Sequence, residues 1–205
     1  LTSGRVAEAI DLSKEDPRVI ERYTPPNPTT GKQSTTAEGP IAARKLLIAR
    51  RLVEAGVRCV SVSLSDFDTH SDNFPRMRHL GPILDHALWA LVTDLEERGM
   101  LDDVTVLAWG EFGRTPKVNA KGGRDHWPKA SMGIIAGGGM RMGQVIGATD
   151  KTASEVTERP VHYQDVVATL YHNLGIDPAT DTINDLSGRP RQLVDQGIPI
   201  RELVS

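Results

Sequence analysis

A leucine stripe is the feature that most constrains how this chain folds. Between residues 76 and 98, leucines recur at steps of three and four residues, at positions 80, 84, 88, 91 and 95. Because an α-helix has about 3.6 residues per turn, this spacing places the leucines on one face and predicts a helix that ends at Gly99. The nearly uniform apolar run that follows, residues 104–108, is typical of a strand buried inside a parallel sheet.

The rest of the chain alternates between helical and strand patterns. Further helices are predicted over residues 4–12, 40–54 and 162–174, further strands over 57–64 and 132–136, and a hairpin arm over 141–148. A stretch rich in Pro, Thr and Gly predicts an extended loop over residues 24–40. This alternation predicts an α/β fold with helices on both faces of a mostly parallel sheet, formed as a single domain over residues 1–205.

Composition excludes several classes of protein. The formal net charge is −3, so no general field attracts nucleic acid, and no apolar run is long enough for a membrane span. Cys59 is the single cysteine, so an internal disulfide is impossible, and its apolar neighbours predict a buried side chain. No export signal is visible, and the start at Leu1, directly before a helical pattern, suggests a piece of a longer protein.

Asp68 and His70 directly follow the predicted strand 57–64. If the chain is still extended there, both side chains leave the same face, where a carboxylate and an imidazole can share one divalent ion. The alternative is a polar turn in which Asp68 caps backbone groups. Asp66 and Asp72 flank the pair and are predicted to be turn residues or partners of the metal ligands.

Two further clusters carry polar groups. Asp125 and His126 lie in a Gly-rich loop, where they can serve two neighbouring ions or one can orient the other; the alternative is an ordinary solvated loop. Glu111 follows the strand 104–108, and Arg114 offers a planar fork suited to phosphate, sulfate or carboxylate. The alternative for this second pair is a salt bridge at the end of the strand. Trp127 predicts that the loop packs against the protein.

These motifs resemble those of the domain-of-unknown-function 1501 family, which is related to sulfatases within the alkaline-phosphatase-like superfamily. The resemblance covers nearly the whole chain and rests on Asp-Thr-His-Ser-Asp-Asn-Phe at 68–74, Gly-Glu-Phe-Gly-Arg-Thr-Pro at 110–116, Gly-Arg-Asp-His-Trp at 123–127 and Ala-Gly-Gly-Gly at 136–139. It implies a three-layer αβα fold of the alkaline-phosphatase type, of which this chain is the C-terminal portion. It also implies an extracytoplasmic location.

The resemblance further implies a two-metal hydrolase ancestry. Asp68, His70 and His126 match the residues that hold one metal, and Glu111-Phe112 stands where an Asp-His pair normally serves the second. Asp125-His126 can be aligned with that pair instead. The nucleophile and another Asp would come from the missing N-terminal half of the same domain, so the fragment alone is predicted to be inactive.

The first hypothesis is therefore the C-terminal part of a sulfatase-like, metal-dependent hydrolase of sulfate or phosphate esters, with a small anionic ester or sulfated glycan as substrate. The predicted ligands of a divalent ion (Zn²⁺, Mg²⁺, Ca²⁺ or Mn²⁺) are Asp68, His70, Asp125 and His126. The residues predicted to act in catalysis are Glu111, Arg114 and Arg124, of which the arginines would neutralise the anion. The alternative is a non-catalytic member that binds an anionic glycan or a structural metal with the same cleft.

Overall fold

The computed structural model describes residues 3–25 and 38–204, so most of the predicted loop over 24–40 lies outside the described residues. The chain divides into two compact units, which are described separately. The first comprises Leu1–Arg98 and Lys117–Asp125, and the second comprises Gly99–Pro116 and His126–Ser205.

The first unit is helical. Its α-helices are α1 (Ser3–Ile10), α2 (Pro17–Arg22), α3 (Arg44–Glu54) and α4 (Asn73–Glu97), with short 3₁₀ helices at Leu12–Lys14 and Pro40–Ala43. The helices predicted over residues 4–12, 40–54 and 76–98 are thus confirmed. The leucine stripe explains the packing of α4, because Leu80, Leu91 and Leu95 are buried. Each such side chain contributes roughly 1.5–3 kcal/mol when it leaves water.

A buried ion-pair network joins these helices. Arg50 of α3 donates from Nε to Asp94 Oδ2 of α4 at 2.9 Å, and both side chains are at most 3% exposed. Asp94 also accepts from Arg98 Nε at 2.8 Å and from the hydroxyl of the fully buried Tyr23 at 3.1 Å. Burial beside the Asp94 carboxylate raises the pKa of Tyr23, which therefore stays a neutral donor. The network fixes α3 against α4 through satisfied polar groups.

The second unit contains short strands and one helix. Its elements are β1 (Thr105–Trp109), β2 (Gly113–Arg114), β3 (His126–Trp127), β4 (Gly133–Gly137), β5 (Ala148–Thr149), β6 (Val156–Glu158), α5 (Tyr163–Asn173), β7 (Thr182–Asn184) and β8 (Pro190–Gln192). The strands form four two-stranded antiparallel sheets: β1 with β4, β2 with β3, β5 with β6, and β7 with β8. A small core of Met140, Ile200 and Leu203 lies in this unit.

The predicted fold class is wrong. A three-layer αβα fold with a mostly parallel sheet is not what the structure contains, because β1 and β4 pair antiparallel, with Thr105 opposite Gly137. A uniform apolar run is typical of a strand buried on both faces, but β1 is only half-buried, with Trp109 exposed, and the run does not indicate the direction of the partner strand. The predictions of a strand at 104–108, a strand at 132–136 and a helix at 162–174 are confirmed as elements, with each bound shifted by one residue.

Two other local predictions fail. Residues 57–64 form no strand in the described part of the chain, and their side chains are exposed or half-buried. Cys59 within this segment is exposed rather than buried, because apolar neighbours in the sequence cannot create a core when no element covers them. Of the predicted hairpin arm at 141–148, only Ala148 lies in a strand. No helix among the described residues has both the length and the apolar character needed to cross a membrane.

Candidate functional site

The segment that leads into the candidate site is anchored to α3 by a buried carboxylate. Glu38, which is 5% exposed, accepts hydrogen bonds from the backbone N–H and the hydroxyl of Ser65 at 2.7 and 2.9 Å. Lys45 Nζ lies 2.8 Å from the same carboxylate and also donates to Ser63 O at 3.1 Å. Burial opposes ionisation of Glu38, but the bonds from Lys45 and Ser65 outweigh it and hold the pKa of this carboxyl below its usual value.

Residues 66–72 form a bent loop between this anchor and α4. Asp66 and Asp72 have φ angles of 70° and 50°, which lie in the left-handed region that Asp tolerates better than most residues. Both are therefore turn residues, as predicted, and Asp72 occupies the N-cap position of α4. The hydroxyl of Thr69, which is buried, donates to Asn73 Oδ1 at 2.6 Å and ties the loop to the start of the helix.

A second loop, residues 117–125, lies against the first. The Arg124 N–H donates to Thr69 O at 2.9 Å, and Ser71 and Gly122 form an isolated antiparallel bridge. Gly123 requires the absence of a side chain, since a Cβ there would lie 2.1 Å from the carbonyl carbon of His70. This close approach of two backbones brings residues from distant parts of the sequence to one place.

His70 lies between two carboxylates. Its Nδ1 is 2.7 Å from Asp125 Oδ1, and its Nε2 is 3.1 Å from Asp68 Oδ1. The three side chains are between 47% and 62% exposed, so an ion or a substrate can reach them from solvent. Within the first unit the structure thus brings together three predicted metal ligands, Asp68, His70 and Asp125. The extended chain that was expected to place Asp68 and His70 on one face is absent, and a bent loop brings the two side chains together instead.

Asn119 also belongs to this cluster, and the sequence interpretation missed it. Its Nδ2 donates to His70 O at 3.0 Å and to Asp125 Oδ1 at 3.2 Å. An asparagine in a glycine-containing loop is ordinarily interpreted as a turn residue, so its type and position gave no sign of a contact with His70. The only feature of the sequence that could have indicated a role for Asn119 in the site is its position six residues before Asp125.

Arg124 also lies in the first unit. Its guanidinium carbon is 5.8 Å from the centroid of the Phe74 ring, a cation–π contact that holds the charged end of the side chain near the start of α4. Arg124 immediately precedes Asp125 in the chain and its backbone is fixed by Thr69, so the position of this residue is well defined.

Three other predicted site residues lie in the second unit. Glu111 is exposed and lines an open cleft of about 510 Å³ together with Trp109, Gly110 and Tyr163. The Tyr163 hydroxyl donates to Gly110 O at 2.7 Å, and its ring meets that of Trp109 edge-on, with centroids 4.9 Å apart. This cleft follows the end of β1, where the sequence placed Glu111.

Arg114 and His126 are cross-strand neighbours on β2 and β3. The ring of Phe112 packs on that of His126 with centroids 4.1 Å apart, and the Arg114 guanidinium carbon lies 5.8 Å from the Phe112 centroid. Trp127 is half-buried and donates from Nε1 to Ser154 O at 2.7 Å, which confirms that it packs against the protein. The metal-ligand role of His126 and the anion-binding role of Arg114 stay predictions.

The remaining histidines have structural environments. His79 and His86 of α4 are half-buried, and each places Nε2 within 3.0 Å of a backbone carbonyl, that of Glu38 and that of Arg22. His172 is exposed, and His162 occupies the N-cap of α5.

The donor set around His70 fits a divalent cation. Two ligands that each lie about 2.0–2.2 Å from one ion are separated by roughly 3–3.5 Å, and the separation between Asp68 Oδ1 and His70 Nε2 is 3.1 Å. The carboxylate of Asp125 on the other ring nitrogen matches the common arrangement in which a carboxylate orients a ligating histidine. The fold and the site therefore define a protein with a surface cluster of two carboxylates around one imidazole, built from two loops of a helical unit.

Residues 2–204 match the family described as "Protein of unknown function (DUF1501)", and the chain belongs to this family. The family resemblance inferred from the sequence motifs is thereby confirmed. No curated protein and no solved structure matches the chain.

Proposed function

We propose that this chain forms the C-terminal part of a sulfatase-like, metal-dependent hydrolase of sulfate or phosphate esters, in which Asp68 and His70 bind a divalent ion. The position of His70 is the observation that carries the proposal, because Nε2 faces one carboxylate at ligand-to-ligand distance while Nδ1 is held by another. The wider relation to sulfatases within the alkaline-phosphatase-like superfamily is part of the same proposal and rests on the motif resemblance.

Different side chains would bind the divalent ion and the anionic ester. When bound, a divalent ion would polarise an ester oxygen and stabilise the negative charge that develops on it. A carboxylate with an imidazole favours Zn²⁺ or Mn²⁺ over Mg²⁺ or Ca²⁺, which prefer oxygen ligands alone. Asp125 holds the imidazole of His70 in place, and Arg124, adjacent to Asp125, supplies a cation that can bind a sulfate or phosphate oxygen.

The proposal is tested on the protein that contains this chain together with its native flanking sequence. Metal content is measured after purification, and hydrolysis is screened with aryl sulfates and aryl phosphates. We expect a bound transition metal and turnover that a chelator removes and added metal restores. Turnover that persists without metal, or that is unchanged in His70→Ala, would contradict the proposal.

A second candidate function is supported by Phe112. The resemblance implies an imidazole at this position for a second metal, and here an apolar ring packs on His126 instead. A family member with one structural ion, which binds an anionic glycan without cleaving it, would have this feature. One tightly held ion, binding of a sulfated oligosaccharide and absence of turnover in the full-length protein would favour this second candidate.

The family resemblance also supports an extracytoplasmic location, which we propose for the full-length protein. Fractionation of cells that express it tests this location, and recovery in the cytoplasmic fraction alone would contradict it.

A further inference from the structure

Asn119 uses every polar atom of its side chain. Its Oδ1 accepts from the backbone N–H groups of Lys121 at 2.9 Å and Gly123 at 3.0 Å. Its Nδ2 donates to His70 O at 3.0 Å and to Asp125 Oδ1 at 3.2 Å. One side chain therefore shapes its own loop, contacts the backbone of the histidine and contacts the carboxylate that holds the imidazole.

Chemistry fixes the orientation of this amide. Backbone N–H groups only donate, so Lys121 and Gly123 must face the oxygen of the Asn119 side chain. The carbonyl of His70 and the ionised carboxylate of Asp125 only accept, so they must face the nitrogen. The reversed orientation would oppose donors to donors and acceptors to acceptors on both sides. The assignment of Oδ1 and Nδ2 is thus determined by four partners.

The bond from Nδ2 restricts the carboxylate of Asp125. Its Oδ1 receives both the Asn119 amide and the His70 Nδ1 hydrogen, at 3.2 and 2.7 Å. The Asn119 amide also donates to the backbone carbonyl of His70. The same side chain therefore positions both the Asp125 carboxylate and the His70 imidazole. An exposed aspartate and an exposed histidine would otherwise sample several rotamers, since each is about half-exposed.

We propose that Asn119 is a positioning residue that fixes the tautomer of His70. By holding Asp125 against Nδ1, it keeps the hydrogen of the neutral imidazole on Nδ1, where the carboxylate accepts it, and leaves the lone pair on Nε2. The Asp68 carboxylate, 3.1 Å from Nε2, also only accepts, so a cation between these two acceptors would relieve their repulsion. That lone pair is the group that would bind the divalent ion, so this part of the inference rests on the proposed function. The tautomer itself is a property of the metal-free chain.

The Asn119→Asp variant tests the role of the donor nitrogen separately from that of the acceptor oxygen. The variant keeps an acceptor oxygen for Lys121 and Gly123, so the loop hydrogen bonds persist. It replaces the donor nitrogen by a charged oxygen, which faces the His70 carbonyl and the Asp125 carboxylate. Asn119→Ala removes both sides. Asn184→Ala, in an exposed strand of the second unit, is the matched control.

Two measurements on residues 1–205 test the inference. The ¹⁵N chemical shifts of the His70 ring are recorded without metal, at a pH high enough for the ring to be neutral. We expect the Nδ1–H form to dominate in the unchanged chain and in Asn184→Ala, and a mixture of tautomers in both Asn119 variants. Zn²⁺ affinity is then measured by calorimetry, and we expect it to fall by about 10- to 100-fold in the Asn119 variants, as is usual when the partner of a metal-binding histidine is lost.

The outcomes separate this inference from the proposed function. An unchanged tautomer in Asn119→Asp, with circular dichroism that shows an intact fold, would overturn the positioning role whatever the metal does. A changed tautomer together with Zn²⁺ affinity within about twofold of the unchanged chain would overturn the link to the ion. Zn²⁺ affinity that His70→Ala leaves unchanged would overturn the metal proposal, and the ring shifts would still decide the role of Asn119.

Discussion

His70 Nδ1 lies 2.7 Å from Asp125 Oδ1, although 55 residues separate the two in the sequence. The contact exists because two loops of the first unit run side by side, joined by backbone hydrogen bonds between Thr69 and Arg124 and between Ser71 and Gly122. The imidazole is therefore oriented by the backbone framework as well as by its own rotamer preference. The geometry of the candidate site depends on this contact between His70 and Asp125.

The role of Asp125 is tested by Asp125→Asn. If the carboxylate orients His70 without touching the ion, the variant should bind Zn²⁺ about 10- to 100-fold more weakly but with the same stoichiometry. Calorimetry measures both quantities, and Asp103→Asn, at an exposed position of the second unit, is the control. Complete loss of binding would instead make Asp125 a ligand, and unchanged affinity would exclude both roles.

Gly123→Ala tests the close approach of the two loops. The added Cβ would lie 2.1 Å from the carbonyl oxygen of His70 and 2.4 Å from the Ser71 nitrogen, so the loops must separate. We expect a loss of about 1–3 kcal/mol in the free energy of unfolding, measured by urea denaturation. Gly81→Ala, in α4 with no atom within 4 Å of the new Cβ, should instead be stabilising by about 0.5–1 kcal/mol. Equal stability of the two variants would contradict the packing described.

Asp94→Asn tests the buried ion pair that joins α3 and α4. The amide keeps the shape of the side chain but removes one of the three carboxylates that pair with the Arg50 guanidinium, which is 1% exposed; Glu15 and Glu54 remain. We expect a loss of about 1.5–3 kcal/mol in the free energy of unfolding, because the hydrogen bonds to the charged Asp94 are weakened while Arg50 keeps two carboxylate partners. Glu155→Gln, which breaks an ion pair with Lys129 whose side chains are both more than half exposed, should change stability by less than about 1 kcal/mol. A similar small effect for both variants would show that the network is not needed for stability.

The anchor at Glu38 predicts a dependence of stability on pH. The pKa of this carboxyl is held below its ordinary value of 4.5, so the folded state favours the ionised form more than the unfolded state does. Its contribution is present above about pH 4.5 and is lost as the pH falls through the folded pKa. The difference in unfolding free energy between the unchanged chain and Glu38→Gln should therefore shrink below that pH. A difference that is constant or that grows with acidity would contradict this assignment.

Much of the local structure was predictable from the sequence, but the sheets were not. The stripe from Leu80 to Leu95 predicted α4 because the spacing of apolar residues within one segment is enough to indicate a helix. The antiparallel pairing of β1 with β4 was not predictable, since an apolar run does not indicate which strand it pairs with or in which direction. For the same reason the apolar neighbours of Cys59 wrongly indicated burial.

The candidate site was predictable in part. Asp68, His70 and Asp125 were chosen by their residue types and their loop positions, but the extended chain assumed for Asp68 and His70 is a bent loop in the structure. Asn119 could not be inferred, because its role depends on a contact with the backbone of His70 that only the folded chain reveals.

Calorimetric titration of residues 1–205 with Zn²⁺ measures whether Asp68 and His70 bind a divalent ion, as we propose. We predict one ion per chain, loss of binding in both Asp68→Asn and His70→Ala, and unchanged binding in Asp66→Asn and His172→Ala. Asp66 is a turn residue whose left-handed φ of 70° an asparagine accepts, and His172 is exposed on α5. Equal Zn²⁺ affinity in the unchanged chain, Asp68→Asn and His70→Ala would contradict the account.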